Sequence, residues 1–139
     1  MKETKVVVID GQGGRLGRMV VEQIRAASLS CEILAVGTNS IATANMLKAG
    51  ADAGATGENP VIVACRSADI ILGPVGILSA DALLGEITPA MAAAIGQSRA
   101  TKLLLPVNMC ATRIVGVRPL SFGELVSAAV EELKAILGD

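Results

Sequence analysis

Two hydrophobic periodicities alternate along the chain. Short runs of consecutive apolar residues, typical of strands buried on both faces, are followed by segments in which apolar residues recur every three or four positions, as on one face of a helix. The first run, residues 6–9, lies in a predicted strand over 5–10, and the first helical segment covers 15–27. The apolar face of this predicted helix consists of Leu16, Met19, Val20, Ile24 and Ala27.

The remaining elements follow the same alternation. A capping-box pattern that begins at Ser121 predicts a last helix ending at Leu137. Residues 52–57 fit either a very short strand or a loop, and residues 59–66 favour a short helix over a strand. Apolar runs predict further strands over 31–36, 69–73, 102–106 and 113–117, and helical spacing predicts helices over 40–48 and 89–95.

This order of elements indicates the fold class. Strands that alternate with helices and consist of continuous apolar runs are typical of a mostly parallel sheet covered by helices on both faces. The length of 139 residues is that of one domain. We therefore expect a single doubly wound α/β domain over 1–139 with a sheet of five or six strands, whose ligands bind at the carboxyl ends of the strands.

A glycine-rich corner joins the first predicted strand to the first predicted helix. Its regular spacing is G-x-x-G-x-x-G, because Leu16 stands where the third glycine of G-x-G-x-x-G would be. Small residues leave backbone N–H groups uncovered at the positive end of the helix dipole, which favours an anion such as phosphate. The alternative is a tight turn that binds nothing. The candidate phosphate-binding residues are Gly11, Gln12, Gly13, Gly14, Arg15 and Leu16.

Further candidates follow the second, fourth and fifth predicted strands. Dinucleotide sites usually place Asp or Glu about 20 residues after the glycines, where it binds the ribose 2′-hydroxyl. Here that place is occupied by Gly37, Thr38, Asn39 and Ser40, which suit a 2′-phosphate or another phosphate. The alternative is that Asn39 and Ser40 only cap the next helix. The other candidates, each with a structural turn as its alternative, are Gly73, Pro74 and Asn108.

Several of these segments resemble a known fold family. Residues 6–27 resemble the strand–glycine–helix unit of Rossmann-type nucleotide-binding domains, and ADIILG at 68–73 resembles their fourth strand. Over its whole length the chain is similar to a short bacterial Rossmann-like family of unknown function. The similarity is carried by the blocks VIDGQGGRLG, GTNSIAT, MLKAGAD, GATGEN, GEITPAMA and VGV. The resemblance implies a Rossmann-like fold and supplies no activity.

Composition excludes several classes of activity. The sequence has no His, Tyr or Trp, which excludes a Ser-His-Asp triad, a Tyr-x-x-x-Lys pair and a His-based dehydrogenase dyad. Acid–base chemistry would fall to carboxylates and lysines. Among these, Asp10 is expected to bond the N–H groups of the glycine turn. Asp81 and Glu86 are expected in a loop that faces the ligand crevice, with solvent-facing charges at the edge of an oligomer contact as the equal alternative. The net charge of -1 argues against a nucleic-acid partner.

The cysteines and the apolar content indicate the cellular environment of the protein. The 3 cysteines are widely spaced, so we expect no metal site, buried free thiols and a cytoplasmic location. Glycine and proline interrupt the most apolar stretch, 70–98, which is therefore expected to form core and subunit interface rather than to span a membrane.

Taken together, these features predict a nucleotide-binding protein, with NAD(P) as the first candidate cofactor, its phosphate on 11–17 and its ribose near 38–40. Two alternatives stay open. One is a small reductase-like enzyme whose site is shared between subunits. The other is a non-catalytic sensor or assembly protein that associates through residues 75–95. The hydrophobic content of 52% predicts a homo-oligomer.

Overall fold

A computed structural model describes residues 3–107 and 111–138. Within these ranges strands and helices alternate, beginning with β1 (Lys5–Asp10) and ending with the long helix α5 (Phe122–Leu137). A short 3₁₀ helix, Val75–Leu78, follows the fourth strand. The elements between are α1 (Arg15–Ala26), β2 (Glu32–Gly37), α2 (Ser40–Lys48), β3 (Ala53–Thr56), α3 (Glu58–Ser67), β4 (Ile70–Pro74), α4 (Pro89–Gln97) and β5 (Thr101–Leu105).

The described strands form one parallel sheet in the order β3-β2-β1-β4-β5. β1 is central, and it pairs with β2 from Lys5 opposite Glu32 to Asp10 opposite Gly37. The chain winds outward from β1 to β3 and then crosses to β4 on the other side of β1. The switch point, where ligands bind in doubly wound folds, therefore lies at the carboxyl ends of β1 and β4. The expected single doubly wound, Rossmann-like α/β domain is confirmed, with five strands.

The sheet buries a hydrophobic core on each face. Because side chains alternate along a strand, Val6 and Val8 of β1 point to one face and pack with α1, α2 and α5. Val7 and Ile9 point to the other face and pack with α3 and α4. The two layers hold β1 from both sides, so its carboxyl end is a rigid platform for the loop that follows.

The apolar stretch after β4 contributes mainly to the second core. Ile77, Ile87 and Ile95 are fully buried there, which confirms the part of the prediction that assigned this stretch to core. The described helices include none that is long and apolar enough to cross a membrane.

The structure settles the conformation of three segments whose sequence pattern was ambiguous or misleading. Residues 53–56 form the edge strand β3, and the favoured helix over 59–66 is confirmed as α3. The predicted sixth strand over 113–117 is wrong, because these residues have no strand conformation. Val115 is 98% exposed and Gly116 has φ of 89°, and the Val117 N–H donates to Ile114 O at 3.4 Å across a turn. The apolar run has no sheet face against which it could be buried.

Candidate functional site

Asp10 closes β1 and anchors the glycine loop. Its carboxylate is 3% exposed and accepts hydrogen bonds from Gly11 N and Gly17 N, each at 2.8 Å. Burial raises the pKa of Asp10 above its ordinary value although these backbone hydrogen bonds act to lower it. The expectation that Asp10 bonds the N–H groups of the turn is confirmed.

Three glycines of the loop are required by close approach. A Cβ on Gly11 would lie 2.6 Å from Thr38 Oγ1, and one on Gly17 would overlap the Met46 sulfur. Gly14 is the N-cap of α1 with φ of 70°, and a Cβ there would lie 2.7 Å from the Cα of Ala42. Gly14 and Gly17 let α1 pack closely against α2, and Gly11 leaves room for Thr38 and Glu86, which are structural roles.

Gly13 differs from the other three glycines. It is exposed, its φ is not positive, and a Cβ added to it would meet nothing within 4 Å. Neither Gly13 N nor Arg15 N donates to a protein oxygen within the described ranges, whereas Gly14 N donates to Gly11 O at 2.8 Å. Two backbone donors at the start of α1 are thus left for an external acceptor.

A small open cavity of about 240 Å³ lies against these donors. Arg15 projects over the ring of Phe122, with its Cζ 4.4 Å from the ring centroid, so its cationic side chain is held beside the cavity. Phe122 begins α5. The sequence placed it only in a capping box, and its contact with Arg15 was missed. The one signal for a special role was that Phe122 is the single phenylalanine of the chain. The cavity is lined by Asp10, Gly11, Gln12, Gly13, Gly14, Arg15, Leu16 and Phe122.

Glu86 reaches the same loop from a distant part of the chain. Its Oε1 accepts hydrogen bonds from Gln12 N at 2.8 Å, Thr38 Oγ1 at 2.5 Å and Asn39 Nδ2 at 2.9 Å. Burial would raise the pKa of Glu86, but these hydrogen bonds outweigh it and hold the pKa below its ordinary value. The side chain is therefore ionised at neutral pH, and it lies at the glycine loop, where it contacts Gln12, Thr38 and Asn39.

The segment before Glu86 has an unusual backbone. Asp81, Leu83 and Leu84 have φ of 69°, 57° and 58°, and Gly85 follows at 91°. Non-glycine residues seldom adopt this left-handed conformation. Asp81 is exposed. Its backbone N–H donates to Ile87 O and its carbonyl accepts from Gly85 N, and no hydrogen bond in the described chain joins its side chain to the glycine loop. The turn directs Glu86 toward β1 and β2.

The candidates after β2 have divided roles. Asn39 caps α2, accepting from Ala42 N at 2.9 Å, and its amide also donates to Gln12 O at 2.9 Å and to Glu86. Thr38 donates to Glu86 as well, so both lie at the glycine loop. Ser40 is the exposed first residue of α2, and no hydrogen bond in the described chain joins its side chain to that loop.

The remaining candidates lie elsewhere or outside the described ranges. Gly73 and Pro74 are buried in β4, and a Cβ on Gly73 would overlap Ile9 O, so close packing against β1 accounts for this glycine. Leu16 is 3% exposed and belongs to the core. Asn108 lies outside the residues that the structure describes.

The described residues contain no group of three or more His, Cys, Asp or Glu placed to hold a metal ion. Cys65 is a buried free thiol, and burial raises its pKa despite the nearby positive charge of Lys102. The site brings together free amides and a guanidinium on one side of Gln12 and a carboxylate on the other.

The chain is similar to one family model and to solved structures of two other proteins. The family model described as a domain of unknown function (DUF3842) matches residues 5–138. A crystal structure of a nucleoside-diphosphate-sugar epimerase from Pseudomonas aeruginosa superposes with a TM-score of 0.51 at 19% identity, covering 98% of this chain and 48% of the epimerase. The chain thus spans about half the length of that enzyme. A dodecameric FMN-dependent UbiX-like decarboxylase from Escherichia coli O157:H7 gives 0.45 at 14% identity, covering 98% and 95% of the two chains. No curated protein matches the sequence significantly.

Proposed function

The chain belongs to the DUF3842 family, whose description assigns no activity, and from its own residues we propose that it binds a nucleotide, with NAD(P) as the first candidate. A phosphate group of the nucleotide accepts hydrogen bonds from Gly13 N and Arg15 N at the start of α1. Its ribose lies toward Thr38 and Asn39 at the end of β2. The proposal concerns binding, and it names no reaction.

The observation that carries this proposal is the pair of unbonded amides beside open space. Most loop amides are satisfied internally, by Asp10, by Glu86 or by Gly11 O. Gly13 and Arg15 are the exceptions among the loop residues described. Their donors lie at the positive end of the α1 dipole, and the cavity of about 240 Å³ beside them leaves room for a phosphate.

Arg15 adds a positive charge to this cavity. The described chain gives its guanidinium no carboxylate partner, whereas Arg18 on the same helix pairs with Glu22 at 2.9 Å. Stacking on Phe122 limits the directions that the Arg15 side chain can take. A cation held in this way, without an internal counter-ion, suits an anionic ligand.

The test compares two arginines of α1. Arg15→Gln is expected to weaken binding of NAD or NADP by about tenfold, because a charge-assisted contact to phosphate is lost. Arg18→Gln, which removes the same charge one turn further along, is expected to leave affinity nearly unchanged. Isothermal titration calorimetry measures both. Equal losses in the two variants would point to a general charge effect, and no binding of either nucleotide by the wild-type protein would refute the proposal.

We also propose that the protein forms a homo-oligomer. Support comes from two apolar side chains in the segment after β4: Leu84 is 95% exposed and Leu78 is 39% exposed. They are the large apolar side chains of the 75–95 stretch that the cores leave at the surface. Leu84 also belongs to the turn of left-handed residues before α4.

A further inference from the structure

Glu86 has an unused hydrogen-bond acceptor beside the proposed phosphate site. All three of its hydrogen bonds go to Oε1. Within the described chain, no donor bonds to Oε2. The side chain is partly exposed rather than buried, so this oxygen can be approached from outside. A carboxylate fixed through one oxygen presents the other in a defined direction.

The position of this carboxylate is close to the free amides. Gln12 N donates to Glu86, and the next amide along the chain, Gly13 N, is unbonded. Adjacent residues have Cα atoms about 3.8 Å apart. A sugar joined to a phosphate at Gly13 would therefore come within reach of Glu86, at the end of β2 where Thr38 and Asn39 stand.

The charge of Glu86 decides what can lie there. Thr38 and Asn39 suit a phosphate when considered alone, but both donate to a carboxylate that is already in place. A second anion at this point would face like-charge repulsion, and it would find these two donors engaged. A sugar hydroxyl has the opposite property, since it can donate a hydrogen bond to the carboxylate.

We propose that Glu86 recognises the unphosphorylated ribose of the bound nucleotide through Oε2, and that the protein therefore selects NAD(H) over NADP(H). This inference rests on the nucleotide-binding function proposed above. In dinucleotide sites an Asp or Glu at the end of β2 binds the ribose. Here Glu86 has that role, although it belongs to the turn before α4. In the sequence it lies 74 residues from Gln12, its hydrogen-bond partner in the glycine loop.

Glu86→Gln isolates the charge from the structural hydrogen bonds. The amide oxygen of glutamine can still accept from Gln12 N and Thr38, while the negative charge is removed. Glu32→Gln is the matched control, because Glu32 is an exposed carboxylate at the amino end of β2, the opposite end of the strand from Thr38 and Asn39. Calorimetric titration with NAD and with NADP gives the ratio of their dissociation constants for each protein, and thermal melting shows that each variant is folded.

We expect wild-type protein and Glu32→Gln to bind NAD at least about tenfold more tightly than NADP, and Glu86→Gln to reduce this preference by about tenfold. A role in folding alone would leave the ratio unchanged. An unchanged ratio in Glu86→Gln, or wild-type preference for NADP, would overturn the inference while the nucleotide proposal stands. If the wild-type protein binds neither nucleotide, both fail together.

A second measurement on the wild-type protein needs no variant. NAD that lacks the adenosine 2′-hydroxyl is expected to bind about tenfold more weakly than NAD, because the carboxylate loses its hydrogen-bond donor. Equal affinity for the two compounds would overturn the assignment of Glu86 to this hydroxyl. This comparison decides the question even where Glu86→Gln does not fold.

Discussion

Gly13 and Gly14 are neighbours, but only Gly14 is required to be glycine by its backbone conformation and its close packing. Substituting alanine at each position tests this difference. Gly14 has φ of 70°, and an added Cβ would lie 2.7 Å from Ala42 Cα. The left-handed conformation costs an alanine roughly 1–2 kcal/mol. Forcing a methyl group against backbone adds about 1–3 kcal/mol. We therefore expect Gly14→Ala to lower the free energy of unfolding by about 2–5 kcal/mol.

Gly13→Ala is the matched control. Its Cβ would meet nothing within 4 Å, so the change in unfolding free energy is expected to stay within about 0.5 kcal/mol. A slight stabilisation is also consistent, because alanine lowers the conformational entropy of the unfolded chain. Urea unfolding followed by circular dichroism measures both variants. Equal destabilisation by the two substitutions, or a neutral Gly14→Ala, would refute this account of the loop. Gly13, rather than Gly14, is accordingly the position at which to crowd a ligand without disturbing the fold.

Two further predictions concern pH and association. Because the folded-state pKa of Glu86 lies below its ordinary 4.5, its hydrogen bonds contribute stability above that pH, which is lost as pH falls through the folded-state pKa. The difference in unfolding free energy between wild type and Glu86→Gln should therefore shrink between about pH 7 and about pH 3, whereas a constant difference would contradict the pKa shift. Nearby Asp10 has a raised pKa and acts in the opposite sense, so the comparison uses the same pH series for both proteins. For association, light scattering is expected to show wild-type oligomers and weaker association in Leu84→Ser, which removes a 95% exposed apolar side chain; a wild-type monomer at micromolar concentration would contradict it.

The local pattern of the sequence predicted most of the elements, for a physical reason. β1 and α1 are each specified by their own residues: a continuous apolar run in one and a helical stripe in the other. β3 could not be predicted as firmly, because its residues AGAT include only one of the β-branched residues that favour strands. The run at 113–117 shows the reverse case, since an apolar pattern predicts a strand only where a sheet face is present to bury it.

The candidate site was predictable only in part. The glycine loop and the residues after β2 could be identified because their positions in a doubly wound fold follow from the order of the elements. The contact between Glu86 and Gln12 joins residues 74 apart in sequence, and no local pattern encodes such a pairing. The choice among the glycines needed coordinates as well, because the open space at Gly13 and the contact of Gly14 with Ala42 are properties of the packing.

The fixed conformation of Gln12 has a consequence for the kinetics of recognition. Its backbone has φ of 50°, and its peptide groups are held at both ends, by Glu86 at the N–H and by Asn39 at the carbonyl. The conformational entropy of the loop is thus lost when the domain folds, before any encounter with a ligand. Such preorganisation leaves little rearrangement to slow association. It also makes affinity sensitive to substitutions in the turn before α4, which need not touch the ligand themselves.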